Sequence, residues 1–221
     1  MAPHPKFAVN RAPLALAFCG CIALAQAPEL QPIALPPPQT AGGKPLMQAL
    51  KERQTLREFS SEKLPGQMLA NLLWAACGVN RPDSGHRTAP SAMNAQEIDL
   101  YVATPDGLYL YEAAPNRLRP LIPGDLRDKT GSQPFVKEAP LALIFVADLA
   151  RLAKAKPEDR VRYALMDTGC ISQNVYLFCA SEGLATVVHE VDRAGLAQTM
   201  KLGPEQKVIL AQAVGFPKRK T

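Results

Sequence analysis

The stretch from Pro157 to Glu182 constrains the fold of this chain more than any other part of its sequence. Proline is well suited to the first turn of a helix, and Gly183 follows directly as a typical helix C-cap. At helical spacing, one side of the stretch carries these residues: Val161, Leu165, Thr168, Ser172, Val175 and Cys179. The pattern predicts a long helix with one side buried against the rest of the domain.

The remaining patterns alternate between the two periodicities. Apolar spacing predicts helices over Pro45–Arg53, Pro65–Cys77 and Asp192–Met200. Alternating or wholly apolar runs predict strands over Ile98–Ala103, Leu108–Tyr111, Leu141–Val146, Leu184–Val188 and Val208–Val214. The first two strands flank a Pro-Asp-Gly turn and form a hairpin, and the third (LALIFV) is typical of a strand buried on both faces. These elements predict an α+β fold in which a mixed sheet packs on a long helix.

Composition excludes several classes of protein. The 25 Lys and Arg residues exceed the 20 Asp and Glu residues by only five, and no lysine-rich tract occurs before the last few residues. A nucleic-acid groove usually carries a stronger and more clustered charge. A hydrophobic fraction of 47% excludes global disorder, and no apolar run reaches the roughly 20 residues of a membrane-spanning helix. Cys77, Cys170 and Cys179 are expected to pack in the core, and no spacing indicates a metal site. Phosphate-loop, dinucleotide and nucleophile-elbow motifs are missing too, so an enzyme of this sequence would take its reactivity from a cofactor.

The amino terminus has the three parts of a secretory signal. Lys6 and Arg11 precede a short apolar stretch, 14–25, that ends in the small-residue pattern Ala23-Leu24-Ala25. We expect cleavage before Gln26, export of the mature protein, and its location in the periplasm. A buried or membrane-lying helix and a lipid-anchored cysteine are the alternatives. Residues 26–45 are rich in proline and are expected to form an extended arm, either a tether or an arm across a neighbour.

Two groups of polar residues could bind a ligand. In an extended chain, Arg53, Thr55 and Arg57 point to one side, which suits a phosphate, although a solvated charged face is the alternative. The turn before the first long strand offers hydroxyl and amide groups from Ser91, Asn94 and Gln96 that could meet a planar heterocycle. A basic tail, 218–220, ends the chain and by itself predicts only a solvated cluster.

Five motifs in one order resemble the FMN-dependent nitroreductase superfamily. They are Arg53-x-Thr55-x-Arg57-x-Phe59; Leu73-Trp74-Ala75-Ala76-x-Gly78 with Arg87-Thr88-x-Pro90-Ser91-Ala92-x-Asn94; Asp167-x-Gly169-x-x-x-Gln173-Asn174-x-x-Leu177; Gly183-Leu184-Ala185-Thr186; and Gly215-x-Pro217. They span residues 45–217, and the branch that they resemble most is the compact SagB-type group of dehydrogenases. The resemblance implies a nitroreductase-like domain over residues 46–221, with a mixed, mainly antiparallel sheet flanked by helices. It also implies a homodimer with two FMN sites at its interface.

The same resemblance implies how the chain would bind FMN. The Arg-x-Thr-x-Arg stretch and the basic tail would hold the phosphate and ribityl chain, and the Pro-Ser-Ala-x-Asn turn would reach the flavin, often from the partner subunit. The segment after the Gly-Leu strand would place backbone amides near flavin N5 and O4. The implied cofactor-binding residues are Arg53, Gln54, Thr55, Arg57, Pro90, Ser91, Ala92, Asn94, Val188, His189, Glu190, Lys218 and Arg219. His189 and Glu190 depart from the small residues of many relatives, and His189 is either a catalytic proton donor or a structural histidine.

The implied function is that of an FMN-dependent oxidoreductase with a ping-pong mechanism. A donor would reduce the flavin and leave, and a small organic acceptor would then take the electrons. NADH or NADPH is the usual donor, but an exported protein would meet little of either, so the donor stays open between these, a quinone and a protein. The alternatives are a flavin-binding protein without turnover and a SagB-type dehydrogenase or oxidase of peptide-derived rings.

Overall fold

The computed structural model describes Met1 and residues 29–219, so the expected signal at 1–25 lies outside the described residues apart from Met1. The helices are Leu46–Glu52 (α1), Gly66–Cys77 (α2), Pro134–Glu138 (α3), Pro157–Glu182 (α4) and Arg193–Thr199 (α5). The strands are Ile33–Ala34 (β1), Val79–Arg81 (β2), His86–Arg87 (β3), Ile98–Ala103 (β4), Gly107–Glu112 (β5), Arg117–Pro123 (β6), Leu141–Asp148 (β7), Ala185–His189 (β8) and Gln206–Gly215 (β9). In this part of the chain, no helix is both long and apolar enough to cross a membrane.

Seven strands form one sheet in the order β1-β6-β5-β4-β7-β9-β8, and β2 pairs with β3 in a separate hairpin. Every described pairing is antiparallel, so the sheet is more regular than the mixed sheet expected from the sequence. The central strand β7 is buried from Leu141 to Ala147, which confirms the prediction of a strand covered on both faces. The predicted α+β fold is therefore confirmed, with β8, which leads into the candidate site, at one edge of the sheet.

The strand β6 was not predicted from the sequence. Its residues Arg117–Pro123 contain two prolines, which cannot donate to a strand ladder and so weaken any sequence-based strand assignment. The sheet accommodates Pro120 opposite Tyr109 beside a register shift in β5. Both predicted strands of the neighbouring hairpin, β4 and β5, are present.

The described part of the proline-rich arm packs along its own domain rather than standing free as a tether. Strand β1 pairs with β6, and Leu35 next to it is buried with its amide donating to Asn116 O. Further along, Gln67 Nε2 donates to Pro37 O and Lys44 N donates to Ser181 Oγ. The arm thus covers one sheet edge and crosses α2 to reach the end of α4.

The helix α4 begins and ends at the predicted residues, and Gly183 adopts the left-handed conformation of a C-cap. Its buried side consists of Ala164, Asp167, Thr168, Ile171, Ser172, Val175 and Cys179. The predicted side was wrong at Val161 and Leu165, which are exposed. The core prediction for the cysteines holds for Cys77 and Cys179 but is wrong for Cys170, which is exposed.

Candidate functional site

The segment after α1 lies between β8 and the carboxyl-terminal tail. On one side, Leu56 N donates to Thr186 O in β8 at 3.1 Å. On the other, Ser60 N donates to Phe216 O at 2.9 Å and Lys218 N donates to Glu58 O at 3.0 Å. The fold therefore brings the Arg-x-Thr-x-Arg stretch and the basic tail together, although some 160 residues separate them in the chain.

Tyr176 on α4 is the residue that organises this region, and the sequence analysis did not single it out. The guanidinium carbon of Arg53 lies 5.6 Å from the centroid of the tyrosine ring, within the range of a cation–π contact. The hydroxyl accepts a hydrogen bond from Val188 N at 3.0 Å and lies 3.4 Å from Thr55 Oγ1. One side chain thus links the first cation, the central hydroxyl of the motif and the exposed edge of β8.

Four cations of this region have no acidic partner within the described residues. None of the ion pairs there involves Arg53, Arg57, Lys218 or Arg219, and the last three are exposed. By contrast, Lys44 nearby is paired with Glu52 at 2.6 Å. Positive charge that no carboxylate neutralises favours an anionic ligand.

Two clefts border this segment. One of about 400 Å³ is lined by Lys44, Lys51, Glu52, Arg53, Gln54, Leu56 and residues at the end of α4. A second of about 930 Å³ is lined by Phe59, Lys137, Phe216, Lys218 and Arg219 among others. Gly183, the C-cap of α4, borders both clefts. Their size is that of typical small-molecule and cofactor sites.

A buried chain of hydrogen bonds fixes α4 to the strand that borders the site. Ser172 Oγ donates to Gln212 Oε1 at 2.9 Å, and Gln212 Nε2 donates to Thr186 Oγ1 at 3.0 Å. Thr186 Oγ1 donates in turn to Ala213 O at 2.9 Å. Each of these three side chains has a hydrogen-bond partner. A buried polar network stabilises one arrangement of its elements when all of its members are paired in this way.

The polar turn that precedes β4 is held on α4 as well, but at another place. Asp167 Oδ2 accepts a hydrogen bond from Ala92 N at 2.7 Å, and Ser91 Oγ accepts one from Gln96 N at 3.0 Å. Because Asp167 precedes Tyr176 by nine residues, the turn lies about 14 Å from Tyr176 along the helix axis. A single chain therefore does not bring the turn, with its exposed Pro90 and Asn94, into the cluster around Tyr176.

The segment that ends β8 is covered by the loop before α3. His189 is 7% exposed, with its Nδ1 at 3.2 Å from Glu190 O and its ring in edge-on contact with Phe135. A Cβ on Gly131 would come within 2.6 Å of His189 Nδ1, so the loop can approach this closely only because residue 131 is glycine. The exposed Glu190 carboxylate pairs with Arg193 at 2.7 Å, and hydrogen bonding to this arginine lowers the pKa of Glu190.

Burial determines the protonation of His189. The Nδ1–H group donates to Glu190 O, whereas Nε2 is buried and has no hydrogen-bond partner among the described residues. Burial lowers the pKa of His189 below its ordinary value, and the hydrogen bond to Glu190 O opposes this only in part. The imidazole is therefore neutral at pH 7 and turned into the protein. No group of three His, Cys, Asp or Glu side chains within the described residues is arranged to hold a metal ion.

Comparisons with known proteins bear on the family and the fold of the chain. A sequence profile of the Nitroreductase family matches residues 50–216. A protein of Methanocaldococcus jannaschii assigned as a nitroreductase is 30% identical over 152 residues, which make up 64% of this chain and 76% of that protein.

Solved structures extend the likeness to the fold. A crystal structure from Ralstonia eutropha JMP134, of a protein assigned as a nitroreductase, superposes with a TM-score of 0.82 at 42% identity, over 86% of this chain and 90% of that chain. The NADPH:FMN oxidoreductase of Vibrio harveyi, complexed with NAD+, superposes with a TM-score of 0.58 at 17% identity, over 79% of this chain and 69% of that chain. At that identity the likeness is one of fold alone.

The lowered pKa of His189 predicts how its contribution to stability depends on pH. The unfolded chain takes up a proton near pH 6.5 whereas the folded chain resists it, so stability that is present above about pH 6.5 is lost as the pH falls. In His189→Gln this dependence disappears. We expect the difference in unfolding free energy between the wild type and His189→Gln to shrink as the pH falls from about 7 to about 5. Urea denaturation across this range measures it, and a constant difference would contradict the buried, neutral imidazole.

Proposed function

Because this chain belongs to the nitroreductase family, we propose that it is an FMN-dependent oxidoreductase that passes electrons from a donor to a small organic acceptor in a ping-pong scheme. The observation that carries the proposal is the convergence of unpaired cations on both sides of the segment from Arg53 to Ser60. A phosphomonoester needs such an array of charged donors, and the adjoining clefts are large enough for an extended ligand.

The residues present fit FMN at the phosphate end. Arg53 and Arg57 flank Thr55 on an extended segment, and Lys218 lies opposite Glu58, beside Arg57 in the pairing of the tail with this segment. Guanidinium groups would donate paired hydrogen bonds to phosphate oxygens, and the lysine would add a point charge. Tyr176 would hold Arg53 and Thr55 in place through its ring and its hydroxyl.

The bound flavin would supply the two-electron chemistry, and the protein would bind, orient and shield it. Gln54 lines the smaller cleft, and Arg219 lines the larger one beside Lys218. Val188 and Glu190 border the end of β8, where the resemblance places backbone amides near the flavin ring. For His189 we favour a role in the wall of the site, since a buried neutral imidazole is a weak proton donor at pH 7.

The donor and the direction of the reaction define the alternatives. The Vibrio harveyi structure carries NAD+, which makes NADH and NADPH the first donors to be compared. A SagB-type dehydrogenase of peptide-derived rings would share the fold and cofactor, and so would a flavoprotein without turnover. Anaerobic titration of the flavin with each nicotinamide separates a reductase from the other two.

Loss of the arginines should weaken FMN binding. Each charge-assisted hydrogen bond to phosphate is worth about 1.5–3 kcal/mol, so Arg53→Ala and Arg57→Ala should each raise the Kd for FMN by roughly tenfold or more. Arg119→Ala serves as the control, because Arg119 is exposed on β6, which lies near the edge of the sheet opposite to β8. Fluorescence titration of the cofactor-free protein measures the Kd. Unchanged affinity in both site variants would reject the phosphate assignment.

A homodimer is the second part of the proposal. Along α4, an exposed stripe repeats at helical spacing and is apolar or small over most of its length: Val161, Leu165, Met166, Gly169 and Cys170. Helix α1, packed against α4, adds three exposed apolar side chains: Leu46, Met47 and Leu50. The space beside Gly169 is open within the chain, so a partner helix could approach closely there. An apolar surface of this kind marks an interface, and a second copy would bring its turn at 90–94 to this chain's cation cluster.

A charge within the stripe should therefore separate the subunits. Leu165 is 54% exposed, so Leu165→Asp should fold, but the dimer would have to bury an unpaired carboxylate at its interface. We expect a shift from dimer to monomer, measured by light scattering at micromolar protein. Lys154→Asp, in the loop before α4, is the control and should stay dimeric. A wild-type monomer that retains FMN would refute the dimer.

Export to the periplasm is the third part of the proposal, and it rests on the sequence of residues 1–25. Removal of this segment takes away Lys6 and Arg11 and no acidic residue, so the formal charge falls from +5 to +3. Amino-terminal sequencing of protein from the native host should begin at or near Gln26. A cytoplasmic protein that begins at Met1 or Ala2 would overturn the export proposal.

A further inference from the structure

Glu97 is a buried acid with no role in the core or in the cation cluster formed by Arg53, Arg57, Lys218 and Arg219. It is 0% exposed, and no donor among the described side chains offers its Oε atoms a hydrogen bond when the carboxyl is ionised. The neighbouring polar group is the carboxyl of Asp167, itself 7% exposed. A fully buried carboxylate without partners would cost several kcal/mol, so its ionised form is strongly disfavoured.

Two adjacent carboxyl groups can form a hydrogen bond only if one of them carries a proton. Burial raises the pKa of Glu97 to about 7, against the opposing effect of its own backbone amide, and the hydrogen bond and charge of Asp167 add to the rise. Arg151 opposes this rise, but its guanidinium is already bound to both carboxylate oxygens of Asp99 at 2.8 Å. The proton is therefore assigned to Glu97, which donates to Asp167.

Other charged groups surround the pair from each packed element. They are Asp99 on β4, Asp148 at the end of β7, Arg151 after it and Arg87 on β3, and the thiol of Cys77 on α2 lines the same small cavity as Asp167. Arg151 bridges Asp99 and Asp148 and is thereby neutralised. Arg87 lines a small cavity with Asp167, and its Nε is buried without a hydrogen-bond partner among the described residues.

Both ends of the polar turn are tied to this pair. Asp167 Oδ2 accepts from Ala92 N at the start of the turn, and Glu97 follows Gln96 directly at its end. Between them, three non-glycine residues have left-handed backbones: Met93 (φ 54°), Asn94 (φ 51°) and Gln96 (φ 49°). Such conformations cost of order 1 kcal/mol or more each and persist only where the surroundings hold them.

We propose that Glu97 and Asp167 are positioning residues whose shared proton holds the Ser91–Gln96 turn in its strained form, so that loss of this proton loosens the turn. The part that concerns the cofactor rests on the proposed function, because the turn would contact FMN in the partner subunit. The contacts between the pair and the turn lie within one chain, so the pair can be tested separately in cofactor-free protein.

The direction of the pH dependence follows from the raised pKa. The pair takes up a proton more readily when the turn is docked than when the turn is open and Glu97 meets water. Docking is therefore fully favoured below the ordinary pKa of about 4.5 and weakens as the pH rises to about 7, where the effect levels off. The population of the open turn can rise by up to about tenfold per pH unit within this window.

The first experiment measures amide hydrogen exchange at Ala92 in the cofactor-free protein between about pH 5 and pH 8. After correction for the intrinsic exchange rate, protection in the wild type should fall about tenfold or more up to pH 7 and then level off. In Glu97→Gln an uncharged amide donates to Asp167 at every pH, so protection should stay constant. Glu205→Gln, a change at an exposed glutamate, should follow the wild type. A flat wild-type profile, or a Glu97→Gln profile like the wild type, would overturn the proposal.

The second experiment asks whether the turn reaches the cofactor. FMN affinity of the wild type should weaken over the same pH window, and that of Glu97→Gln should not. If protection changes with pH but FMN affinity does not, the pair holds the turn without serving the cofactor site, and that part is rejected. If no FMN binds at any pH, the proposed function fails while the exchange result still decides on the pair.

Asp167→Asn provides the test should Glu97→Gln not fold. Its side-chain oxygen can still accept from Ala92 N, but the like charge beside Glu97 is gone. The fall in protection should therefore move to lower pH or become smaller. An unchanged profile in this variant would overturn the proposal, since the proton would then not depend on Asp167.

Discussion

The arrangement of the site depends on how α4 is fixed to the sheet. Apolar packing alone would let a long helix slide or rotate slightly, because it is not directional. The hydrogen bonds from Ser172 through Gln212 to Thr186 are directional, and Gln212 is fully buried in the middle of β9. An arrangement that broke them would leave an amide unsatisfied in the core, at a cost of about 1–3 kcal/mol. The register of α4 over β8 and β9 is thereby determined.

With its register determined, α4 sets the distance between the two candidate parts of the site. Tyr176 contacts the segment that carries Arg53 and Thr55, and Asp167 binds the polar turn through Ala92 N. About 14 Å of helix separates Tyr176 from Asp167. No loop movement within one rigid domain removes that distance. A symmetric dimer through the exposed stripe of α4 would offer another solution, since the turn of one copy could meet the cations of the other. The same helix would then provide both the scaffold of each site and the interface that completes it.

Local patterns in the sequence were sufficient for the backbone but less so for the side chains. The limits of α4 followed from Pro157 and Gly183, and β7 followed from its continuous apolar run. The buried side of α4 was misjudged because Val161 and Leu165 are as apolar as core residues, and only tertiary packing shows that they face outward. Glu97 and Tyr176 could not be found at all, since their importance lies in contacts with residues distant in sequence. The convergence of Arg57 with Lys218 was expected only through family resemblance, and in the fold it depends on backbone pairing of the two segments.

The described charges follow a simple physical division. In the interior, burial favours neutral forms, so His189 is neutral at pH 7 and Glu97 takes up a proton more readily than an exposed acid. Their effects on stability with pH have opposite signs, because one neutral form has lost a proton and the other has gained one. Around the candidate site the cations are left without carboxylates, although nearby Lys44 is paired with Glu52. These unpaired cations repel one another and so lower the stability of the ligand-free protein slightly. A bound anion would remove this repulsion. An anionic ligand bound at these cations would therefore restore stability, which is the expected property of a binding site.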